Sequence, residues 1–210
     1  PTGAFNLWPR RPFKFETVFT EHYFSTERLA NDLARLFAVA LELPEDYFAD
    51  KLDRHDSTML VHTYHEQVTA PLPGQLRTGP HTDVGFFTIL RIEQEHRPGG
   101  LQVQTRLGAW VDVPAIPDSF IINIGDTLMR WSNDRWISTM HRVINPPREA
   151  AAGNIRMSLP FFFKANQDAV LECLPNCCDT GNPAKYPPVT AGTYNQESLG
   201  RAFSFARQRR

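Results

Sequence analysis

The 210-residue chain has no excess of either charge: 22 Lys and Arg face 23 Asp and Glu, a formal net charge of -1. That balance leaves no electrostatic footprint for nucleic acid or an anionic membrane surface, and neither is expected as a partner. No apolar run approaches the roughly 20 residues that cross a bilayer, and the opening PTGAFNLWPRRPF has no apolar signal-peptide core. A soluble, cytoplasmic protein is therefore expected. Cysteine is scarce, with Cys173, Cys177 and Cys178 all in ECLPNCCDTG. An odd, crowded set makes no disulfide framework and matches neither a zinc pair nor a redox Cys-x-x-Cys, so reduced loop thiols are expected. Also missing are a Gly-rich phosphate loop, a Ser-His-Asp arrangement, internal repeats and low-complexity tracts.

What is present is ordinary globular material, 41% hydrophobic and 21% charged, of a length that suits one domain. Ser25 reads as the N-cap of a helix carrying Leu29, Leu33, Leu36, Phe37 and Ala40 on one face. Pro44 ends it, and LPEDYFAD reads as a short helical turn. From there to about residue 165 come short β-rich runs: TMLVHTY, GFFTIL, GLQVQT, AWVDV, SFIINIG, STMHRVI and RMSLPFFF. Many short strands between turn signals predict an all-β sandwich or barrel, a jelly roll first among them. HRPGG, with Gly99 and Gly100, and NPPREAAAGN read as turns or loops, and Asn123, Gly125 and Asp126 as the turn after a strand. The tail TYNQESLGRAFSFARQRR reads as a last helix with Leu199 and Phe203 on one face and a solvated arginine-rich end. The expected organisation is one domain over 1–210: a helical part at about 15–55, a jelly-roll core at about 57–165 and an extension over 166–210.

The chemistry starts at GPHTDVGFFTIL, where His81 and Asp83 share a face if the segment is a strand. Taken alone, the pair is more simply a structural one, with the carboxylate fixing a core imidazole. His141, in STMHRVINPP, changes the balance. Two histidines and one carboxylate form the triad that holds one face of Fe(II) and leaves the others open. In RMSLPFFF, Arg156 and Ser158 share a face amid apolar neighbours. An inward guanidinium there implies a buried anion, either a ligand carboxylate or a salt bridge to Asp126 or Glu172. The other histidines, His22, His55, His62, His65 and His96, read as solvent-facing, with His62 and His65 near enough to Tyr64 to reach a pocket. Phe161, Phe162, Phe163, Trp110 and Trp131 read as core, one of the phenylalanines lining a substrate pocket.

From NLWP through GPHTDVGFFTIL, GGLQVQTRLGAWVDVP, SFIINIGDTLMRWSN, HRVINPP and RMSLPFFF to YPPVTAGTY, the sequence resembles the Fe(II)- and 2-oxoglutarate-dependent oxygenases of the isopenicillin N synthase-like group. The resemblance spans nearly the whole chain. It implies a mainly β fold, a double-stranded β-helix (jelly roll, cupin-like) with flanking α-helices. It implies His81, Asp83 and His141 as iron ligands, and Arg156 and Ser158 as the pair that binds the far carboxylate of 2-oxoglutarate. Tyr64 matches the tyrosine of the family's Asn-x-Tyr motif and is expected to help hold the cosubstrate; His62 stands where that motif has Asn. Fe(II), 2-oxoglutarate and O2 are the implied cofactors. The implied reaction is oxidation of a small organic molecule, by hydroxylation, desaturation or cyclisation, with release of succinate and CO2. No residue need act as nucleophile or general base. The family's longer N-terminal segment is expected to be missing, the sequence starting after it, and a monomer is expected. Two alternatives stay open: a 2-oxoglutarate-independent oxidase of the isopenicillin N synthase type, and a non-catalytic metal-binding jelly-roll module.

Overall fold

The structure is a computed structural model that describes residues 6–65, 69–92, 100–145 and 156–207, the last six through their backbone alone. His96, Gly99, most of NPPREAAAGN and the Phe203 side chain lie outside the described residues. Helices α1 (Phe15–Ala40) and α2 (Ala49–Leu52) precede strands β1 (Thr58–Met59), β2 (His62–Tyr64), β3 (Thr78–His81), β4 (Phe87–Ile92), β5 (Leu101–Gln104), β6 (Trp110–Asp112) and β7 (Ile121–Ile124). Helix α3 (Asp126–Trp131), β8 (His141–Val143), β9 (Arg156–Phe163), β10 (Val170–Leu171), β11 (Val189–Thr190) and α4 (Ala191–Arg207) follow. The strands form two main antiparallel sheets among the described residues. The first runs β1-β9-β4-β7 with β2 also on β9, and the second runs β3-β8-β5-β6. This is the mainly β, jelly-roll architecture that the alternation of short apolar runs predicts.

Side-chain alternation along the first sheet gives it two different faces. Phe87, Ile89, Phe161 and Phe163 are essentially fully buried under α1, α2 and α3. Thr88, Leu90, Ser158, Pro160 and Phe162 point the other way and line a cavity between the sheets, as expected for one of the three phenylalanines. Pro160 fits a central strand because its nitrogen faces the break between β1 and β2. Its carbonyl, on that same side, accepts from the Leu60 N–H at 3.0 Å.

Helix α1 begins ten residues before the expected cap. Its N-cap is Lys14, without a side-chain bond, and Ser25 lies mid-helix, where its hydroxyl accepts from Arg28. The fully buried stripe is Thr26, Ala30, Ala34 and Ala38, whereas Leu36 is exposed. Small residues let the helix lie close on the sheet, with Leu29, Leu33 and Phe37 packing to its sides. His55, expected in solvent, is enclosed instead: its Nε2 sits 3.0 Å from Glu27 and its ring 5.1 Å from that of Phe163. Trp110, expected in the core, is half-buried beneath the Arg142 guanidinium, which lies 4.1 Å from its ring. Trp131 is core as expected.

Candidate metal centre

His81 ends β3, in the second sheet, and lies directly opposite His141 on β8. Asp83 does not share that strand. It sits in the link that crosses from β3 to β4 in the first sheet, so the expected common strand face is replaced by a turn between sheets. The link is held through its backbone carbonyls. The Asp126 N–H donates to the Asp83 carbonyl (2.7 Å), the Thr127 hydroxyl to that of Val84 (3.0 Å) and the Thr127 N–H to that of Gly85 (3.1 Å). Gly125 is needed for this contact, because a Cβ there would stand 2.2 Å from the Gly85 oxygen.

The three side chains nevertheless converge. Their ligand atoms lie within 4.8 Å of one another, and among the described residues no other group of three His, Cys, Asp or Glu is so arranged. The Asp83 Oδ1 lies 3.9 Å from His81 Nε2 and 3.7 Å from His141 Nε2. Each imidazole's Nδ1 lies against a carbonyl oxygen, His81 on Gly79 (2.9 Å) and His141 on Thr139 (2.8 Å). A carbonyl only accepts, so each Nδ1 carries the proton and each Nε2 presents a lone pair. Burial and the neighbouring His141 hold the His81 pKa below the usual imidazole range, which favours the neutral, lone-pair form. Asp83 is buried, and its Oδ2 accepts from the Thr88 hydroxyl (2.6 Å) and the Asn123 amide (2.8 Å). These two donors face each other across the β4–β7 pair. Oδ1 is left to face the two nitrogens. Three lone pairs aimed at one point repel each other and suit a cation, and a mixed imidazole and carboxylate set with an open side suits Fe(II).

Thr88 and Asn123 escaped the sequence reading, which placed Asn123 in a turn. The signal available was a polar residue in each of two apolar runs, GFFTIL and SFIINIG.

The cavity has a volume of about 400 Å3 and is walled by all three triad residues. Tyr64 and Ser158 line it, and so does His62, which lies opposite Ser158 across the β2–β9 pair. His65 is exposed. Arg156 is brought beside Tyr64, its cross-strand partner, with the guanidinium 4.2 Å from the ring, but it is not itself a wall of the cavity. It pairs with neither Asp126, which accepts from the Tyr194 hydroxyl, nor Glu172. Partial burial, and with it the nearby Arg77 cation, lowers the Arg156 pKa from its ordinary value.

The model of the 2OG-Fe(II) oxygenase superfamily matches residues 55–165, which take in the whole triad and β9. The chain belongs to that superfamily. It is 36% identical to the 2-oxoglutarate-Fe(II) type oxidoreductase hxnY of Emericella nidulans, over 97% of this chain and 58% of that protein. Among solved structures, this oxygenase-superfamily chain is similar to a full-length Neurospora crassa protein crystallised in complex with alpha-KG. The two share 30% identity and a TM-score of 0.86, over 95% of this chain and 62% of the other. It is also similar to JOX2 in complex with 2OG, Fe and JA, with 31% identity and a TM-score of 0.78, over 90% and 54% of the two chains. The chain thus spans 58% of the length of the fungal relative.

Proposed function

We propose that the chain is the catalytic core of an Fe(II)- and 2-oxoglutarate-dependent oxygenase that oxidises a small organic molecule. The observation that carries this reading is the convergence of His81 Nε2, His141 Nε2 and Asp83 Oδ1 on one point at the wall of a cavity. Superfamily membership supports it, as do the similar chains crystallised with alpha-KG or with 2OG and Fe. His81, Asp83 and His141 would hold the iron. Ser158 and Tyr64, on the cavity wall, and Arg156, stacked behind Tyr64, would hold the far carboxylate of 2-oxoglutarate. Bound there, Fe(II) would let O2 act as the oxidant for hydroxylation, desaturation or cyclisation, with 2-oxoglutarate as co-reductant taking one oxygen atom and leaving as succinate and CO2.

The protein's share is orientation and exclusion of water. Gly79 and Thr139 carbonyls fix the tautomer and direction of the two imidazoles. Thr88 and Asn123 engage Oδ2 and leave Asp83 a single oxygen for the metal. Leu90, Val103, Ile121 and Val143 make the cavity apolar around the reacting groups. The reading needs no nucleic-acid, membrane or protein partner, and a cytoplasmic monomer is the proposed working state. No helix among the described residues is long and apolar enough to cross a membrane.

Adding 2-oxoglutarate to the Fe(II) protein under nitrogen is expected to produce a visible charge-transfer band. Succinate should form once air is admitted, and His81→Ala should lose both. A band that fails to appear with the wild type favours a 2-oxoglutarate-independent oxidase. Succinate release that survives His81→Ala contradicts the reading.

A further inference from the structure

The sheet face that carries Ser158 continues past the triad. Ser158, Pro160, Phe162 and Lys164 follow at period two, and all four line the cavity. The register orders them, with Ser158 opposite Ile92, Phe162 opposite Thr88, and Thr88 bonded to Asp83. The Asp83 carboxylate therefore stands near the level of Phe162. Ser158 lies about 13 Å along the strand on one side and Lys164 about 7 Å on the other, at about 3.3 Å per residue.

Lys164 brings a cation into this wall without an anion to meet it. It is half-buried, its Nζ reaches the Thr58 hydroxyl at 3.4 Å, and among the described residues no ion pair includes it. Lys51 and Lys185, by contrast, pair with Asp50 and Asp134. The same cavity is also lined by Leu60, Phe162 and, from α4, Asn195 and Leu199. Asn195 adds a second unmet group, because its Oδ1 is buried with no hydrogen-bond partner. An amide not tied down through its oxygen is free to turn and present either end to a ligand.

We propose that this end of the cavity is the primary-substrate subsite and that it takes a small organic acid. Lys164 receives the carboxylate, the apolar walls hold the hydrocarbon body beside the triad, and Asn195 meets a polar group next to the acid. The cosubstrate keeps the opposite end, at Ser158 and Tyr64. This inference rests on the oxygenase reading above.

Protein loaded with Fe(II) and 2-oxoglutarate under nitrogen is titrated calorimetrically with hexanoate, 4-methylpentanoate and 3-phenylpropionate, and with their primary amides. At least one acid is expected to bind about tenfold tighter than its amide, the margin of one charge-assisted hydrogen bond. Lys164→Met is expected to erase that margin and Lys164→Arg to keep most of it, while the affinity for 2-oxoglutarate is unchanged in both. Thermal melts verify that the variants are folded, and Lys164→Arg keeps the test decisive if the Met variant is not. Equal binding of acids and amides, no binding of any acid, or a Lys164→Met loss that falls on 2-oxoglutarate overturns the subsite. The wild-type charge-transfer band and succinate release report separately on the oxygenase reading, so a failure there is distinguishable from a failure here.

Discussion

The two oxygens of Asp83 face different partners, and those behind it are open to test. Thr88→Val keeps shape and removes one of the two donors to Oδ2. Metal affinity, measured by Fe(II) titration under nitrogen, is expected to fall about tenfold to a hundredfold with little change in Tm. An unchanged affinity would show that Asp83 is oriented without Thr88. Two other groups contribute to the alkaline limit. Burial and Cys178 push the Cys173 thiol up to about 12, and burial with the Asp134 hydrogen bond pushes the Tyr186 phenol up to about 12. Both are raised in the folded state, so the stability they contribute is complete below their ordinary values of 9.0 and 10.0 and is lost as pH rises toward 12. Chemical-denaturation midpoints should therefore fall steadily above about pH 9, and Cys173 should resist alkylation at neutral pH until the chain is unfolded. Residues with distinctive chemistry were legible at this scale: His81, Asp83 and His141 could be read from side-chain type and order. Thr88 and Asn123 could not, because a lone hydroxyl or amide in an apolar run does not name its partner. Arg156 was legible as a cation set in an apolar run, but it is half-buried, and its stacking on Tyr64 depends on a cross-strand register that the sequence does not spell out.

Among the elements, the link between β3 and β4 and the start of α3 behave as one clamp. Gly125→Ala places a Cβ against the Gly85 carbonyl, which is backbone and has no rotamer to give. It should cost about 3 kcal/mol or more and displace Asp83, lowering both Tm and metal affinity. A variant with normal Tm and normal metal binding would show that the link can yield. The β-rich runs were readable because β-branched and aromatic residues alternate between turn signals, and RMSLPFFF shows this best. β3 was missed for the converse reason: Thr-Gly-Pro-His has no apolar alternation, and it pairs only because β8 lies alongside. Ser25 misled as a cap because a good capping residue also fits a helix surface when its hydroxyl finds a neighbour. The alanine stripe of α1 was obscured by the larger leucines beside it.

At the scale of the whole molecule, the triad joins the two sheets, His81 and His141 from one and Asp83 from the link entering the other. A metal bound there ties both together and binds the native state alone. At a free metal concentration about 100 times its Kd, the gain is about 2.7 kcal/mol. For a chain of this size that is roughly 5–10 °C in Tm. Melts with and without chelator should show this difference in the wild type and lose it in His81→Ala. The clamp at Gly85 and Gly125 has a further consequence. The Asp83 link is gripped through its backbone and the Asp83 carboxylate by Thr88 and Asn123 on the chamber wall, while the rest of the chamber's shape and polarity comes from other side chains on the strand faces and α4. Chemistry and selectivity thus overlap at Thr88 and Asn123 alone, and repainting the walls away from these two and the triad would retune what is admitted without disturbing the anvil on which it is struck.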